Sequence, residues 1–389
     1  MPDFKYVVIG GGMTGHAAAQ GIRSADASGS IVMFGDEPVG PYARPPLTKG
    51  LWTGQEEGSI WLPAVEGVSS RTGARVVAID RASRRVVLDG GETVGYERLL
   101  LATGGTPRRL PFGGNGVVYY RTVADYRRVQ ALPVGKHVAV VGGGFIGSEI
   151  AASLVTAGYR VTLLFPEEGI GARLFPRALA VHLNGYYTER EVDVRAGERL
   201  TGLEENGPGF TLETDRGKIR ADLVVAGLGI LPNDRLAAEA GLPVDDGILV
   251  DERLRTSDPA VFAAGDVARF FSPALGQKIR VEHEDNANVM GREAGRAMAG
   301  ADAAYRHLPF FYSDLFDLGY EAVGVLDPRL EVVADWKEPF RKGIVYYLGD
   351  GRVRGVLAWG VFGKMDAARS LIAEPGPHDP EALRGRIPA

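Results

Sequence analysis

Two glycine-rich turns, 132 residues apart, read almost alike: residues 7–15 (VVIGGGMTG) and residues 140–147 (VVGGGFIG). Each turn follows a short apolar run and begins a helical pattern. In a strand–turn–helix unit, such glycines let a pyrophosphate lie against backbone N–H groups at the helix N-terminus. One such motif is a weak signal, and a tight turn without a ligand is its alternative. Two in one chain predict two dinucleotide sites, with electrons passing between two bound cofactors.

The glycines of each turn have different predicted tasks. The first takes the sharp bend, the second lacks a Cβ so that the pyrophosphate can approach, and the third lets the helix pack on the sheet. Neighbouring side chains are expected to line the same two sites. The first site is predicted to contain Gly10, Gly12, Met13, Thr14 and Gly15, and the second Gly142, Gly144, Phe145, Ile146 and Gly147.

Composition narrows the class of protein. The 389 residues are too many for one ordinary core, so two or three domains are expected. A net charge of −5 gives no case for nucleic-acid binding. No apolar run has transmembrane length, and the first strand begins too early to leave room for a leader, so we expect a cytoplasmic protein that does not bind membranes.

The chain contains no cysteine, and this decides part of the chemistry. A redox-active disulfide, a thiolate nucleophile and cysteine-ligated iron–sulfur or zinc sites are all excluded within it. The six histidines lack the spacing of metal ligands, so no metal site is predicted.

Acidic residues follow the second strand of each glycine-turn unit. Asp36 and Glu37 come after a strand predicted at residues 30–34, where a carboxylate can bind a ribose hydroxyl; a solvated loop carboxylate is the alternative. Glu167 follows a strand predicted at residues 160–165, and favours the 2′-hydroxyl of NAD over the 2′-phosphate of NADP. Arg173 lies further on, so NADPH is less expected than NADH rather than excluded.

Three further predicted strands end in small residues that suit close packing beside a nucleotide. They supply Ala102, Thr103 and Gly104, then Gly229, then Gly265; Asp266 follows Gly265, and its carboxylate can bind a polyol. A helix is predicted over residues 282–299, with early acidic and late basic residues that suit its dipole. From residue 310 we expect strands at residues 322–325, 343–348 and 353–359 and a helix at 365–372. From Pro375 we expect a loosely held tail.

These motifs together resemble the flavoprotein reductases of the glutathione-reductase fold, over essentially the whole chain. The resemblance implies an α/β protein with two Rossmann-like domains, for FAD and for NAD, and a C-terminal α+β interface domain. It implies an FAD-binding domain at residues 1–110 and 235–303, an NAD-binding domain at 111–234 and an interface domain at 304–389. Members that use a cysteine pair near the flavin are excluded here.

A proline-rich loop narrows the resemblance. Residues 41–49 (PYARPPLTK) and 142–149 (GGGFIGSE) look like the cysteine-free group of oxygenase-coupled ferredoxin and rubredoxin reductases and apoptosis-inducing factor. Later segments lean towards apoptosis-inducing factor, although no presequence is seen and residues 326–342 are too few for its long regulatory insertion. The leaning segments are residues 164–167, 280–283, 312–315, 319–324, 356–359 and 365–369.

The resemblance implies roles for particular side chains. Lys49 would lie beside the flavin N5 and pair with Glu149, where an ordinary surface lysine is the alternative. Phe145 would gate or stack on the nicotinamide, or be a core residue of the turn. The implied catalytic residues are Lys49, Glu149 and His283.

Other implied contacts concern FAD. Glu282 and His283 would begin the helix that points its N-terminus at the flavin pyrimidine, with a simple helix cap as the alternative for His283. Asp266 would bind the ribityl chain, and Arg44 the phosphates or the adenine. Phe311 and Tyr312 would lie against the flavin, or equally belong to the core.

The resemblance therefore implies an enzyme that moves electrons from NADH through FAD to a small carrier such as ferredoxin or rubredoxin. One alternative is a redox switch like apoptosis-inducing factor, with a stable charge-transfer complex and NADH-linked dimerisation. Another is a quinone or oxygen reductase. A homodimer is possible in each case, and the sequence does not select the final acceptor.

Overall fold

A computed structural model describes residues 3–302 and 304–389; the two ends predicted for the FAD-binding segments, residues 1 and 303, lie outside these ranges. The chain forms two compact units. The first contains Met1–Arg44, Glu57–Thr106 and Leu231–Pro309, and the second contains Pro45–Glu56, Pro107–Ile230 and Phe310–Ala389. The four-segment domain division remains a prediction.

The helices and strands of the described chain are as follows. The helices are α1 (Met13–Ala25), α2 (Val123–Gln130), α3 (Phe145–Thr156), α4 (Arg177–Thr188), α5 (Arg235–Glu239), α6 (Glu284–Met298) and α7 (Met365–Ala373). The strands are β1 (Phe4–Ile9), β2 (Ile31–Phe34), β3 (Val68–Arg71), β4 (Val76–Asp80), β5 (Arg85–Leu88), β6 (Thr93–Leu101), β7 (Gly105–Pro107), β8 (Val118–Tyr119), β9 (His137–Val141), β10 (Arg160–Phe165), β11 (Val192–Ala196), β12 (Leu200–Asn206), β13 (Gly209–Thr214), β14 (Gly217–Ala221), β15 (Leu223–Ala226), β16 (Ile230–Pro232), β17 (Ile248–Leu249), β18 (Val261–Ala263), β19 (Ala268–Ser272), β20 (Gln277–Arg280), β21 (Phe310–Leu315), β22 (Leu318–Gly324), β23 (Glu331–Glu338), β24 (Lys342–Gly349) and β25 (Arg352–Trp359).

The first unit is built on a mainly parallel sheet in the order β3-β2-β1-β6-β5-β4, with β18 beside β6. Its central strands are continuous apolar runs that are buried on both faces, as parallel strands are. Helix α1 packs closely on α6, because a Cβ at Gly21 or Gly295 would overlap a backbone carbonyl of the other helix. Because β1, β6 and β18 are parallel neighbours, their carboxyl ends lie at one edge of the sheet, where ligands of such sheets bind.

The second unit contains another parallel sheet, in the order β11-β10-β9-β15-β8, and an antiparallel meander of β12, β13 and β14. Its C-terminal part is a five-stranded antiparallel sheet in the order β21-β22-β25-β24-β23, against which α7 packs. Among residues 3–302 and 304–389, no helix is both long and apolar enough to span a bilayer.

The predicted elements are found with small shifts. Strand β10 has the predicted ends, and the helix predicted from residue 282 begins at Glu284, with His283 as its N-cap. The expectation of a loosely held tail is wrong. Leu383 and Ile387 are buried, and Arg384 donates to the carbonyl of Ala334 at 2.7 Å, so the last residues pack on the C-terminal sheet.

Candidate functional site

The first glycine turn joins β1 to α1 in the first unit. Gly10 has φ of +126°, and a Cβ there would overlap the carbonyl oxygen of Ala102, so only glycine fits. A Cβ at Gly12 would meet no atom of the described chain within 4 Å. A pyrophosphate can therefore approach the backbone at the start of α1, which is the fit that a dinucleotide requires.

The second glycine turn repeats this geometry between β9 and α3. Gly142 has φ of +114°, and a Cβ there would overlap the carbonyl oxygen of Gly227. At Gly144, as at Gly12, a Cβ would meet nothing within 4 Å in the part of the chain that the structure describes. The third glycine, Gly147, lies against the carbonyl of Gly142 and brings α3 close to the turn.

After the second strand of each glycine-turn unit, one predicted acidic residue has an arginine partner. In the first unit Glu37 accepts from the Tyr42 hydroxyl at 2.6 Å and from Arg44 at 2.5 Å, whereas Asp36 is exposed. In the second unit Glu167 accepts from two nitrogens of Arg173, at 2.9 and 2.7 Å. Glu37, more than Asp36, is thus held in a fixed position near its glycine turn.

The other predicted FAD residues of the first unit lie at strand ends and at the start of α6. The Thr103 hydroxyl donates to the carbonyl of Asn233 at 2.8 Å, and a Cβ at Gly265 would overlap the Thr14 side chain. The carbonyl of Asp266 accepts from Arg280 at 3.1 Å, and Arg280 also pairs with Glu282 at 2.7 Å. These contacts fix the backbone that leads into α6.

His283 is the N-cap residue of α6 and is only partly exposed. Burial lowers its pKa to about 4, against the opposing effects of the Asp266 and Asp285 carboxylates. The imidazole is therefore neutral at pH 7. It contributes no formal charge to the end of the helix, where the α6 dipole itself supplies positive potential.

Lys49 and Glu149 form an ion pair in the second unit. Lys49 follows the short helix Pro45–Thr48, and Glu149 lies in the first half of α3, where it is 5% exposed. The ammonium also lies 5.4 Å from the ring centroid of Tyr312. A half-buried lysine with a buried carboxylate partner is unlike the exposed surface lysines of the alternative interpretation.

Two residues that sequence reasoning missed complete this pair. The Thr48 hydroxyl donates to Glu149 at 2.5 Å and the Ser313 hydroxyl donates to it at 2.6 Å. Nothing local marks them, since they are 101 and 164 residues from Glu149 in the chain. Phe145, at the start of α3, packs edge-to-face on Phe311, with ring centroids 5.2 Å apart.

The predicted site residues fall into two groups. The first unit contains Gly10, Gly12, Met13, Thr14, Gly15, Asp36, Glu37, Arg44, Ala102, Thr103, Gly104, Gly265, Asp266, Glu282 and His283. The second contains Lys49, Gly142, Gly144, Phe145, Ile146, Gly147, Glu149, Glu167, Gly229 and Tyr312. Lys49 and Tyr312, predicted for FAD, thus belong to the same compact unit as the residues predicted for NAD.

Two family models together match most of the chain. Residues 4–292 match the family model described as pyridine nucleotide-disulphide oxidoreductase. Residues 294–339 and 334–374 match the model for the C-terminal domain of mitochondrion-associated apoptosis-inducing factor.

Individual proteins are similar over nearly the full length. The ferredoxin–NAD(+) reductase component of the anthranilate 1,2-dioxygenase system of Burkholderia cepacia is 38% identical, over 97% of this chain and 96% of its own. Mitochondrial apoptosis-inducing factor 1 of Dictyostelium discoideum is 33% identical, over 95% of this chain and 78% of its own. The crystal structure of the covalent putidaredoxin reductase–putidaredoxin complex aligns with a TM-score of 0.91 and 30% identity, over 98% of this chain and 96% of that one. The predicted resemblance, the α/β fold and the class of FAD- and NADH-using oxidoreductase are confirmed.

Proposed function

We propose that this chain, which belongs to the pyridine nucleotide-disulphide oxidoreductase family, oxidises NADH and passes the electrons to a small ferredoxin-type iron–sulfur protein. The observation that carries the proposal is the ion pair between the half-buried Lys49 and the buried Glu149, next to the second glycine turn. The relative from Burkholderia cepacia is named for ferredoxin, and the putidaredoxin reductase structure is a complex with putidaredoxin, which supports this class of partner.

The first unit has the residues to hold FAD. Gly12 offers the backbone of α1 to the pyrophosphate, and Glu37 with Arg44 suits the adenosine end. Asp266 and the start of α6, with Glu282 and His283, suit the ribityl chain and the pyrimidine end of the flavin. Bound FAD supplies the capacity to take two electrons as a hydride from NADH and to release them one at a time.

The second unit has the residues to bind and orient NADH. Gly144 offers the start of α3 to the pyrophosphate, Glu167 suits the ribose hydroxyls, and Phe145 suits the nicotinamide face. Lys49, held by Glu149, would supply a positive charge that stabilises the negative charge developing during flavin reduction. Orientation and electrostatics are therefore the protein's main contributions to the rate.

The acceptor class follows partly from composition. Because the chain contains no cysteine, it cannot store electrons in a disulfide, as many members of its family do. The electrons must leave directly from the cofactor to an external acceptor. A carrier that takes one electron at a time, such as an iron–sulfur protein, fits this requirement.

The test combines anaerobic reduction with turnover. We expect NADH to bleach the flavin faster than NADPH does, and a ferredoxin from the same organism to be reduced at the expense of NADH. Heat-treated ferredoxin is the control. Failure of every ferredoxin of that organism to turn over above this control would contradict the proposed acceptor.

A second candidate is a redox switch like apoptosis-inducing factor, favoured by the match of residues 294–374 to the C-terminal domain model of that protein. It predicts a long-lived charge-transfer absorbance after NADH addition and an NADH-dependent change in elution volume. Fast reoxidation by ferredoxin at unchanged size would argue against it. Rubredoxin as carrier, quinone or oxygen as acceptor, a homodimer and a cytoplasmic location stay predictions.

A further inference from the structure

The Glu149 carboxylate has more partners than an ion pair requires. Besides Lys49, it accepts from the Thr48 hydroxyl at 2.5 Å and from the Ser313 hydroxyl at 2.6 Å. Thr48 bonds to Oε2, whereas Lys49 and Ser313 share Oε1. Both carboxylate oxygens are thus held by donors. We call Thr48, Lys49, Glu149 and Ser313 the Glu149 cluster.

The Glu149 cluster is nearly closed to solvent. Thr48 is 4% exposed, Glu149 5% and Ser313 1%, and the Lys49 side chain is 15% exposed. Buried polar groups are costly unless each finds a partner, and bonds to a charged acceptor are the strong ones. Removing one hydroxyl therefore weakens the hold on a carboxylate that water cannot easily reach.

The two hydroxyls are themselves fixed by packed structure. The Ser153 hydroxyl, one turn after Glu149 on α3, donates to the carbonyl of Thr48 at 2.6 Å. Ser313 lies opposite Tyr320 in the β21–β22 register, so the two side chains are neighbours on the same face of the sheet. Tyr320 in turn stacks on Trp359, with ring centroids 5.4 Å apart and planes 9° from parallel. The proline-rich loop and the C-terminal sheet thus both reach the same carboxylate.

A lysine has four rotatable side-chain bonds, so one flexible carboxylate would not fix its ammonium. A carboxylate held on both oxygens by two anchored hydroxyls has one orientation, and the ammonium bonded to it has few positions. Charge stabilisation of a reaction depends on such fixed geometry, because a displacement of about 1 Å can cost roughly 100-fold in rate.

We propose that Thr48 and Ser313 are positioning residues: they hold the Glu149 carboxylate, and through it the Lys49 ammonium, in one geometry for flavin reduction. The inference rests on the proposed function, since that is where Lys49 acts. It goes beyond the proposed function by giving a role to two hydroxyls that act through the Glu149 carboxylate. Their effect must vanish when Glu149 can no longer accept from them.

The kinetic test is a set of double-mutant cycles on the FAD-loaded full-length protein. We expect Thr48→Val and Ser313→Ala each to slow flavin reduction by NADH about tenfold, as for loss of one hydrogen bond to a charged group. Thr48→Ser keeps the hydroxyl and should keep the rate. In a Glu149→Ala background, neither substitution should slow reduction further.

A chemical test reads the position of Lys49 without turnover. Trace acetic anhydride labels lysines according to their accessibility and free amine fraction, and mass spectrometry compares Lys49 with the exposed Lys337 in the same sample. We expect the Lys49/Lys337 labelling ratio to rise in Thr48→Val and in Ser313→Ala, and to rise most in Glu149→Ala. Thr156→Val, which loses only a bond within α3, is the matched control and should keep the wild-type ratio.

The outcomes separate this inference from the proposed function. Equal slowing by Thr48→Val and Ser313→Ala with and without Glu149, or unchanged Lys49 labelling in both variants, would overturn the inference. Slowed reduction that disappears in the Glu149→Ala background, with raised labelling, supports it. A wild-type protein whose flavin is reduced by NADH but that turns over no ferredoxin contradicts the proposed acceptor and leaves the inference standing.

Discussion

The two glycine turns share a backbone but differ in the side chains around them. In both turns the first glycine, Gly10 or Gly142, has a positive φ. A Cβ added to the second, Gly12 or Gly144, would lie more than 4 Å from every described atom outside its immediate neighbours. Behind the first turn, Glu37 is held by Tyr42 and by Arg44, which is 26% exposed. Behind the second, Glu167 is held by Arg173, which is 84% exposed. We propose that the first cradle, whose acidic residue has two less exposed partners, keeps its cofactor, and that the second, whose acidic residue has one exposed partner, exchanges it.

The helices after the turns differ in the same sense. Two residues beyond its third glycine, α1 has Ala17, which is buried, whereas α3 has Glu149 at the equivalent place. Helix α1 serves close packing on α6, through Gly21 and Gly295. Helix α3 instead contributes a buried carboxylate to the Glu149 cluster. We infer that the first turn is built for holding a cofactor and the second for chemistry.

The sharpest way to separate the two turns is to fill each cradle with a side chain. Gly12→Val and Gly144→Val should both fold, since a Cβ at either position meets no described atom within 4 Å. We expect Gly12→Val to purify without flavin, and Gly144→Val to purify yellow but be reduced by NADH at least roughly 100-fold more slowly. Absorbance spectra and anaerobic stopped-flow check both. A yellow Gly12→Val protein would break the comparison.

Removing the positive charge of Lys49, which pairs with Glu149 beside the second turn, should have the next largest effect on flavin reduction. Lys49→Met keeps the side-chain length, so FAD should stay bound while its reduction by NADH slows by about 10- to 100-fold. The exposed Lys337→Met is the matched control and should react as wild type. Stopped-flow absorbance gives the rates. A normal rate in Lys49→Met would remove this residue from the mechanism.

Changing the exposed ion pair between Arg173 and Glu167 should have a smaller effect, on the choice between NADH and NADPH. In Glu167→Ala, Arg173 loses its carboxylate partner and can meet a 2′-phosphate, so the preference for NADH over NADPH should fall about tenfold. Arg173→Ala should shift the preference the opposite way. Arg177→Ala, which loses a similar exposed pair with Glu168, is the control. The ratio of kcat/KM values is the measurement, and an unchanged ratio in Glu167→Ala contradicts the assignment.

The smallest effect concerns pH in the first unit. The pKa of His283 is about 4 in the folded protein and 6.5 in the reference state, so below pH 6.5 the unfolded chain binds a proton that the folded chain does not. Stability is therefore lost as pH falls from 6.5 towards 4. The loss attributable to His283 is under about 1 kcal/mol between pH 7 and pH 6 and grows below that. Denaturant titrations should show the same pH dependence of the free energy of unfolding in wild type and His283→Gln above pH 7. Below pH 7 the wild type should lose stability more steeply. Parallel pH profiles down to pH 5 would contradict the lowered pKa of His283.

Local patterns predicted the elements of the two parallel sheets well. Strand β10 was placed at its observed ends because its residues form a continuous apolar run followed by Pro166, and both glycine turns lie where the motifs put them. The strand Glu331–Glu338 was not predicted, because its mixed polar composition at a sheet edge gives little periodic signal. The prediction of a loosely held tail was also wrong. The tail is mostly polar, but two of its apolar residues, Leu383 and Ile387, are buried and anchor it.

The site was predictable only where a motif spans it. Lys49 and Glu149 were found through the resemblance of their segments, not through any spacing that brings them together. Thr48 and Ser313 could not be found, because their contacts to Glu149 depend on how three distant segments pack. Hydroxyl residues are common everywhere in a sequence, so only burial and geometry single these two out.

The most direct test of the account is whether the hydride of NADH reaches the flavin in this protein. Anaerobic stopped-flow would follow flavin bleaching by NADH and by NADH deuterated at nicotinamide C4, in wild type and in Gly144→Val. We predict fast bleaching in wild type, slower with the deuterated donor, and almost none in Gly144→Val that still holds its flavin. Bleaching that is equally fast in Gly144→Val would show that the second turn does not bind the donor, and would contradict the division of roles between the two turns.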